Sequence, residues 1–254
     1  MNGVLDSIVL CEGYHDRAFL QGALLKIGCT DPGEQPDGSR KPIQDPDGRT
    51  VRGGQFAFLS KSQNFVRVHP CGGKSKIPTE LKRLLKDWPT REYARIVVLL
   101  DSDGDARTSI AAPPSPNWVE DAVKQADSTA IRTPKGDLAV FGEGLIVTVA
   151  TWWTNDGHTS ELPWKQTLER LIVASLRDAY PDRGAAVATW LTGLPGGGKD
   201  GHKEHAWSHM AGWYADRGCE GFCRFVWQDP KIANGLQHRL RSCGCWRVLE
   251  ELAS

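Results

Sequence analysis

The segment that most constrains the fold of this chain is Arg95 to Leu100 (RIVVLL), which consists almost entirely of β-branched residues and leucine. Such a run is typical of a central parallel strand that is buried on both faces. A second apolar run, Ser7 to Cys11 (SIVLC), stops at Glu12-Gly13, and apolar residues at helical spacing follow it from His15 to Ile27. Because strands and helices alternate in this way, the sequence predicts a parallel α/β sheet.

The remaining patterns divide the chain into two parts. Further strands are expected in four apolar segments: Gln55–Leu59, Phe65–His69, Leu138–Phe141 and Leu145–Thr151. Helical spacing recurs in six segments: Ile77–Trp88, Trp118–Ala126, Trp164–Asp178, Gly184–Leu191, Lys203–Tyr214 and Ile232–Leu240. We therefore predict an α/β core with a mostly parallel sheet over residues 1–158, and a mainly helical C-terminal part, packed on the core, over residues 159–254.

Residues 31–54 differ in composition from these predicted elements. Nine of the 24 residues are Gly or Pro, Asp is frequent, and no helical or strand periodicity is present. The few apolar side chains cannot offset the entropy of ordering such a segment, so we expect a mobile insertion loop.

The overall composition excludes several classes of protein. Lys plus Arg and Asp plus Glu both number 31, so the chain is not a polycation and any basic surface is local. No apolar run approaches the roughly 18 residues of a membrane span, and the N-terminus does not resemble a signal peptide. Seven cysteines, an odd number, favour a reducing compartment over a disulfide scaffold. We therefore expect a cytoplasmic protein without a membrane span.

Acidic residues follow two of the predicted parallel strands. Glu12 follows the first, with Asp16 one helical turn later, and Asp101, Asp103 and Asp105 follow the RIVVLL strand. In open α/β sheets ligands bind outside the carboxyl ends of the strands, so we expect both clusters to face one crevice. Clustered carboxylates repel each other, and a hard cation such as Mg²⁺ removes that repulsion. The alternative is that these residues are ordinary solvated turns, since Asp-Gly and Asp-Ser are favoured there.

Both acidic motifs resemble those of the TOPRIM domain. The run IVLCEGYHDRAFL resembles its first motif, an apolar strand that ends in Glu-Gly, and IVVLLDSDGD resembles its second, a strand that ends in Asp-x-Asp. The intervening segment VHPCGGKSKIPTELKRLL is similar to the stand-alone branch that includes the OLD (overcoming-lysogenisation-defect) nucleases. TLERLI and HKEHAWSHMAGWY resemble that branch more loosely. The main resemblance covers residues 7–105 and implies a Rossmann-like core.

The resemblance also implies roles for individual residues. Glu12 would be a metal ligand or general acid/base, and Asp101 and Asp103 would be catalytic metal ligands. The expected ligands of Mg²⁺ or Mn²⁺ are all acidic: Glu12, Asp16, Asp101, Asp103 and Asp105. Two residues of the looser matches complete the predicted site: Lys203 as a catalytic residue and Glu169 as a secondary one.

The function implied by this resemblance is metal-dependent hydrolysis of phosphodiester bonds in DNA or RNA. By analogy with OLD-like relatives, it implies a role in phage defence and a partner ATPase or other defence subunit. Two alternatives stay open: primase-like nucleotidyl transfer, and a non-catalytic nucleic-acid-binding or regulatory protein. The sequence leaves the oligomeric state open.

A basic stretch between the two motifs favours a nucleic-acid partner. From Lys61 to Arg95 the chain carries nine Lys or Arg against three acidic residues, which is typical of a surface for a polyanion. Gly72, Gly73 and Lys74 precede a predicted helix, where backbone amides bind phosphate readily. With Lys76 and Arg83 they form the predicted phosphate-binding set. The alternative is the ordinary solvated face of a helix.

Three further patterns carry weaker predictions. Gly193 to Asp200 (GLPGGGKD) lacks the Ser or Thr of a P-loop and follows a helix rather than a strand, so ATP binding is not expected. The histidines and cysteines of the last 53 residues have no paired Cys-x₂-Cys, and buried thiols explain them better than structural zinc. Trp152-Trp153 is more typical of packing than of base stacking.

Overall fold

The predicted α/β fold is confirmed by the computed structural model of the chain. The residues that the structure describes are 6–37, 39, 41–44, 50, 56–90, 93–193 and 202–254, with only the backbone for Pro89 and for 202–204. Within them the chain forms a mostly parallel, mixed sheet of seven strands and eight α-helices, and the helices lie mainly in the C-terminal part.

The sheet has seven strands, and the first strand of the chain lies between the third and the fourth. Its strands are β1 (Asp6–Cys11), β2 (Phe56–Leu59), β3 (Phe65–Pro70), β4 (Tyr93–Asp101), β5 (Ile131–Arg132), β6 (Leu138–Val140) and β7 (Leu145–Trp152). They are ordered β2-β3-β1-β4-β7-β6-β5. β1 is parallel to both β3 and β4, whereas β2 is antiparallel to β3, and β6 is antiparallel to β5 and β7. The two-residue β5 was not predicted, because so short a strand has no periodic signal.

Burial explains why the RIVVLL segment is so apolar. Ile96 to Leu100 are all buried in β4, and Ile8 and Leu10 of β1 lie in the same hydrophobic core. Leu81 and Leu84 extend that core, and each fully buried side chain of this kind contributes about 1.5–3 kcal/mol through removal of apolar surface from water.

The helices lie close to the predicted helical segments, but several differ from them in length. They are α1 (Tyr14–Lys26), α2 (Ile77–Asp87), α3 (Asn117–Ala126), α4 (Leu168–Ala179), α5 (Pro181–Gly193), α6 (His202–Gln228), α7 (Pro230–Ser242) and α8 (Cys245–Ala253). α6 is longer than predicted and is interrupted at Gly218, whose φ of 67° is non-helical. α8 was not predicted.

The predicted start of the fourth helix at Trp164 is wrong. Trp164 and Gln166 instead accept strand-like backbone bonds from Ala106 and Asp103, at 2.8 and 2.9 Å. α4 begins only after Thr167, whose side chain accepts a hydrogen bond from the Arg170 amide and caps the helix. Tertiary hydrogen bonds therefore override the apolar spacing of this segment.

The chain divides into two compact units that are discontinuous in sequence. Unit 1 comprises residues 1–100, 115–150 and 248–254, and unit 2 comprises residues 101–114 and 151–247. The sequence predicts a single boundary near residue 158. The end of α8 belongs to unit 1, where Glu251 accepts a 2.8 Å bond from Arg95 and the Ala253 carbonyl accepts one from the Lys61 amide at 3.0 Å.

The predicted insertion loop lies only partly within the described residues. Residues 38, 40, 45–49 and 51–54 lie outside them. Among the remainder the structure has turns and isolated bridges, such as Gln44 with Thr50, and no helix or longer strand. The mobility of this loop stays a prediction. Most of the P-loop-like segment, residues 194–200, also lies outside the described part.

Two further observations concern the whole described chain. None of its described helices combines the length and apolar character that a membrane crossing requires. None of the seven cysteines, all of which lie within the described residues, forms a disulfide bond.

A buried guanidinium holds the helices of unit 2 together. Arg239 of α7 donates to both carboxylate oxygens of Asp156, at 2.7 and 2.9 Å, and to Asp178 of α4 at 2.7 Å. Burial alone raises the pKa of Asp156, but the bonds from Arg239 and Thr154 outweigh it, so the pKa lies below its usual value. The pair therefore stabilises unit 2 with Asp156 ionised.

We predict that Arg239→Met lowers the free energy of unfolding by about 3–5 kcal/mol at neutral pH, because it leaves a partly buried carboxylate unpaired. Urea unfolding measures this loss. Because the pKa of Asp156 is lowered by folding, its contribution is present above the ordinary value of 3.8 and is lost as the pH falls through the lowered pKa. The difference between variant and parent should therefore shrink in acid.

The matched control is Arg241→Met, which removes an exposed arginine from the same helix and should cost about 0.5 kcal/mol or less. Equal unfolding midpoints for the two variants would contradict the role of the Arg239 cluster.

Candidate functional site

In unit 1, the first acidic motif lies where β1 ends and α1 begins. Glu12 is half-buried and directly follows β1. Asp16 is 8% exposed, and its Oδ2 accepts a 3.0 Å hydrogen bond from the Gly13 amide. Asp16 therefore caps the first turn of α1, a structural task that the resemblance to a metal-ligand motif did not indicate.

The predicted phosphate loop lies beside Glu12 in the same unit. The amides of Cys71 and Gly73 donate to the carbonyls of Cys11 and Glu12, at 2.9 and 2.7 Å. Gly73 has a φ of 126°, which side-chain-bearing residues rarely adopt, and a Cβ added there would meet no atom within 4 Å. The Gly73 amide and carbonyl are thus bonded within the protein, to Glu12 and Lys76, while the space beside its Cα is open.

Two thiols beneath this loop are not nucleophiles. Cys11 and Cys71 both donate to the His69 carbonyl, at 3.7 and 3.8 Å. Burial raises the pKa of Cys71 to about 12 and that of Cys11 well above its usual value. Both thiols are therefore protonated at neutral pH, a state in which a thiol is a poor nucleophile.

In unit 2, the second acidic motif is fixed by backbone hydrogen bonds. Asp101 ends β4, and its Oδ1 accepts a 2.8 Å bond from the Leu168 amide at the start of α4. Asp103 has a left-handed φ of 60°, and its amide donates to the Gln166 carbonyl at 2.9 Å. The turn at Asp103 thus follows from bonding between residues 101–106 and 164–168.

Cations of the protein lie against the last two aspartates of this motif. The Lys165 Nζ is 2.7 Å from Asp103 Oδ1, and Arg107 contacts Asp105 at 2.6 Å. Hydrogen bonds from the Arg107 side chain lower the pKa of Asp105. Asp103 and Asp105 are therefore both held in ion pairs with cations of the protein.

The described side chains do not form a ready metal cage. Among the residues that the structure describes, no three Asp, Glu, His or Cys side chains are grouped so that they could hold an ion. Mg²⁺ sites commonly use one or two carboxylates with water and substrate phosphate. The requirement for Mg²⁺ or Mn²⁺ stays a prediction, and the arrangement described here assigns no step to the ion.

The remaining predicted site residues lie in varied surroundings. Glu169 is half-buried in the first turn of α4, and the side chain of Lys203 lies outside the described residues. Lys74 is half-buried and Lys76 is exposed, within a 3₁₀ turn that separates Gly73 from α2. Arg83 is bound by Glu80 and by Asp87, the latter at 2.8 Å.

The basic stretch is more neutralised than its composition indicates. Arg67 forms a buried ion pair with Asp6, and Arg95 forms a half-buried one with Glu251. Neither charge belongs to an exposed polyanion surface. The exposed cations of α2 are Lys82, Arg83 and Lys86, and of these Arg83 is paired with Glu80 and Asp87.

Sequence reasoning missed the lysine beside the second motif. No spacing rule links Lys165 to Asp103, because they meet only through strand-like bonding between distant segments. Arg107, two residues from Asp105, could have been found from its proximity in sequence.

Comparisons with known proteins add to the description of the fold. No protein-family model matches the chain, and no curated protein matches it. Among solved structures, the chain is similar to the crystal structure of a hypothetical protein from Pyrococcus horikoshii OT3, with a TM-score of 0.68 and 16% identity. The match covers 98% of this chain and 100% of that one. At this identity the likeness shows that the two proteins share a fold.

Proposed function

We propose that this chain hydrolyses phosphodiester bonds in DNA or RNA, as a nuclease of the TOPRIM type. One observation carries the proposal: β1 and β4 are neighbouring parallel strands, and each ends in an acidic motif. Ligands of open α/β sheets bind outside the carboxyl ends of such strands. Glu12 and the Asp101-Ser102-Asp103 run are the acidic residues of the two motifs that resemble the TOPRIM domain, and their positions after β1 and at the end of β4 support the proposal.

Unit 1 supports the proposal with a surface suited to phosphate. The open space at Gly73 lies beside Glu12, and Lys76 is exposed close by in the chain. The Gly73 amide is already bonded to the Glu12 carbonyl, so a phosphate here would be bound by the charge of Lys76, with the open space at Gly73 leaving room for it. In the proposed reaction Glu12 acts as general base or acid toward the attacking water or the leaving oxygen.

Unit 2 supports it with a carboxylate of fixed orientation and a nearby cation. The Leu168 amide holds one oxygen of Asp101 in place. Lys165, now bound to Asp103, supplies a positive charge that stabilises negative charge developing on phosphate oxygens. The proposal includes a requirement for Mg²⁺ or Mn²⁺ and a cytoplasmic setting, for which the free thiols are suited. Phage defence and a partner ATPase rest on the resemblance.

A second candidate function is non-catalytic binding of nucleic acid. The ion pairs of Lys165 with Asp103 and of Arg107 with Asp105 favour it, because they balance the acidic loop without any bound ion. A binding protein would retain nucleic acid and leave it intact, whereas a nuclease would shorten it in the presence of a divalent cation.

We predict that Asp101→Asn lowers the cleavage rate by about 100-fold or more and leaves the fold intact. The amide oxygen of Asn can still accept the bond from Leu168, so the variant removes the charge and retains this hydrogen bond. Purified protein is incubated with labelled single-stranded DNA, duplex DNA and structured RNA, with Mg²⁺, Mn²⁺ or EDTA, and the products are separated on denaturing gels.

The control is Asp121→Asn, an exposed aspartate of α3 that makes the same change of charge outside the proposed site. It should cleave like the parent. A parent that retains nucleic acid without shortening it in any arm would favour the binding function, and an Asp101→Asn variant that cleaves like the parent would refute the assigned role.

We predict that the exposed lysines of α2 bind phosphate. The double variant Lys82→Gln, Lys86→Gln should reduce the slope of log K against log salt for duplex DNA by about 2, since each phosphate contact contributes about 0.9. Fluorescence anisotropy at several salt concentrations, in EDTA, measures the slope. The matched pair Lys26→Gln, Lys231→Gln lies outside the basic stretch and should leave the slope unchanged. Equal slopes for both double variants would rule out α2 as the surface.

A further inference from the structure

Unit 2 contains a cavity next to the second acidic motif. Its volume is about 400 Å³, within the usual range for small-molecule sites. Leu162 and Leu191 are buried in its wall, and the half-buried ring of Trp164 also lines it. The deep part of the cavity is therefore apolar and partly aromatic.

One buried polar atom of the wall lacks a partner. His205 lines the cavity, and its Nε2 is buried and makes no hydrogen bond to any described residue. Buried polar groups are nearly always hydrogen-bonded, so this atom offers a hydrogen-bonding position to a ligand in the cavity. Burial, helped by Arg170, lowers the pKa of His205, so its ring is neutral at neutral pH. A neutral imidazole suits an uncharged polar edge better than an anion.

The rim of the cavity is polar and basic, in contrast to its apolar wall. Arg107 and His158 are exposed there, and the described lining includes no acidic residue. The Arg107 guanidinium lies 4.4 Å from the centroid of the Trp164 ring and is also paired with Asp105. A guanidinium binds phosphate through its planar set of donors, and a phosphate at this rim would compete with Asp105 for Arg107. The ligand indicated by these features has a planar polar ring and an anionic group.

We propose that this cavity binds a nucleotide, with the base among Leu162, Leu191 and Trp164, its edge bonded to His205, and the phosphate at the Arg107 rim. The choice of a nucleotide among amphipathic anions rests on the proposed function. The bond from the Ala106 amide to the Trp164 carbonyl joins this rim to the loop that follows Asp101. The nucleotide is either free or the terminal residue of a strand.

Calorimetric titration of the full chain tests the site. The probes are AMP, GMP, CMP and UMP, the four corresponding nucleosides, and inorganic phosphate, all in EDTA so that binding is separate from cleavage. At least one mononucleotide should bind. The corresponding nucleoside should bind at least about tenfold more weakly, and phosphate alone should bind weakest of the three. His205→Phe, which retains a ring and removes its nitrogens, should weaken binding about tenfold, as expected for one lost hydrogen bond.

A second variant fills the cavity with a large side chain. Ala188→Trp places a large side chain on a half-buried lining position of α5 and should abolish binding, whereas Ala186→Trp lies on an exposed position of the same helix and should not. Competition by linear but not circular single-stranded DNA would identify a strand terminus as the source of the nucleotide. If neither form of DNA competes, the ligand is a free nucleotide.

Two results would overturn the site: no mononucleotide binds the parent chain, or Ala188→Trp binds as the parent does. Binding without any cleavage would refute the proposed nuclease and leave the nucleotide site standing. Cleavage by a parent chain that binds no mononucleotide would refute the nucleotide site alone.

Discussion

The parallel pairing of β1 with both β3 and β4 determines where the chemistry-bearing residues of this chain lie. β1 is apolar enough to be buried between two neighbours, and polar residues return only where it ends, at Glu12. The pairing with β3 brings the Gly72-Gly73 loop to that end, through a bond from Gly73 to the Glu12 carbonyl. The pairing with β4 makes the strand that carries the Asp-x-Asp motif its neighbour.

In unit 2, backbone hydrogen bonds between two distant segments determine where the residues of the second acidic motif lie. Residues 101–106 bond to residues 164–168, and these bonds place Lys165 against Asp103 and the Trp164 ring at the proposed nucleotide cavity. The same bonds delay the start of α4 to Leu168, whose amide then orients Asp101. One local deviation from helical structure thus accounts for the orientation of the carboxylate, its neighbouring cation and one wall of the cavity.

The sequence predicted what depends on local composition. RIVVLL and SIVLC identified the central strands because burial on both faces requires continuous apolar runs, and the turns after them followed from the carboxylates and glycines. It could not predict contacts between distant segments. The pairing of Lys165 with Asp103, the burial of Arg67 against Asp6 and the orphaned nitrogen of His205 all depend on tertiary contacts that leave no periodic signal.

A kinetic cycle tests the proposed function, in which Glu12 and Asp101 both act in phosphodiester hydrolysis. Single-turnover cleavage of labelled nucleic acid in Mn²⁺ is measured for the parent, Glu12→Gln, Asp101→Asn and the double variant. If both residues act in the same reaction, the double variant should lose little more activity than the more impaired single variant, because groups that act as a unit are not additive. Losses that multiply, or single variants that cleave like the parent, would contradict this proposal.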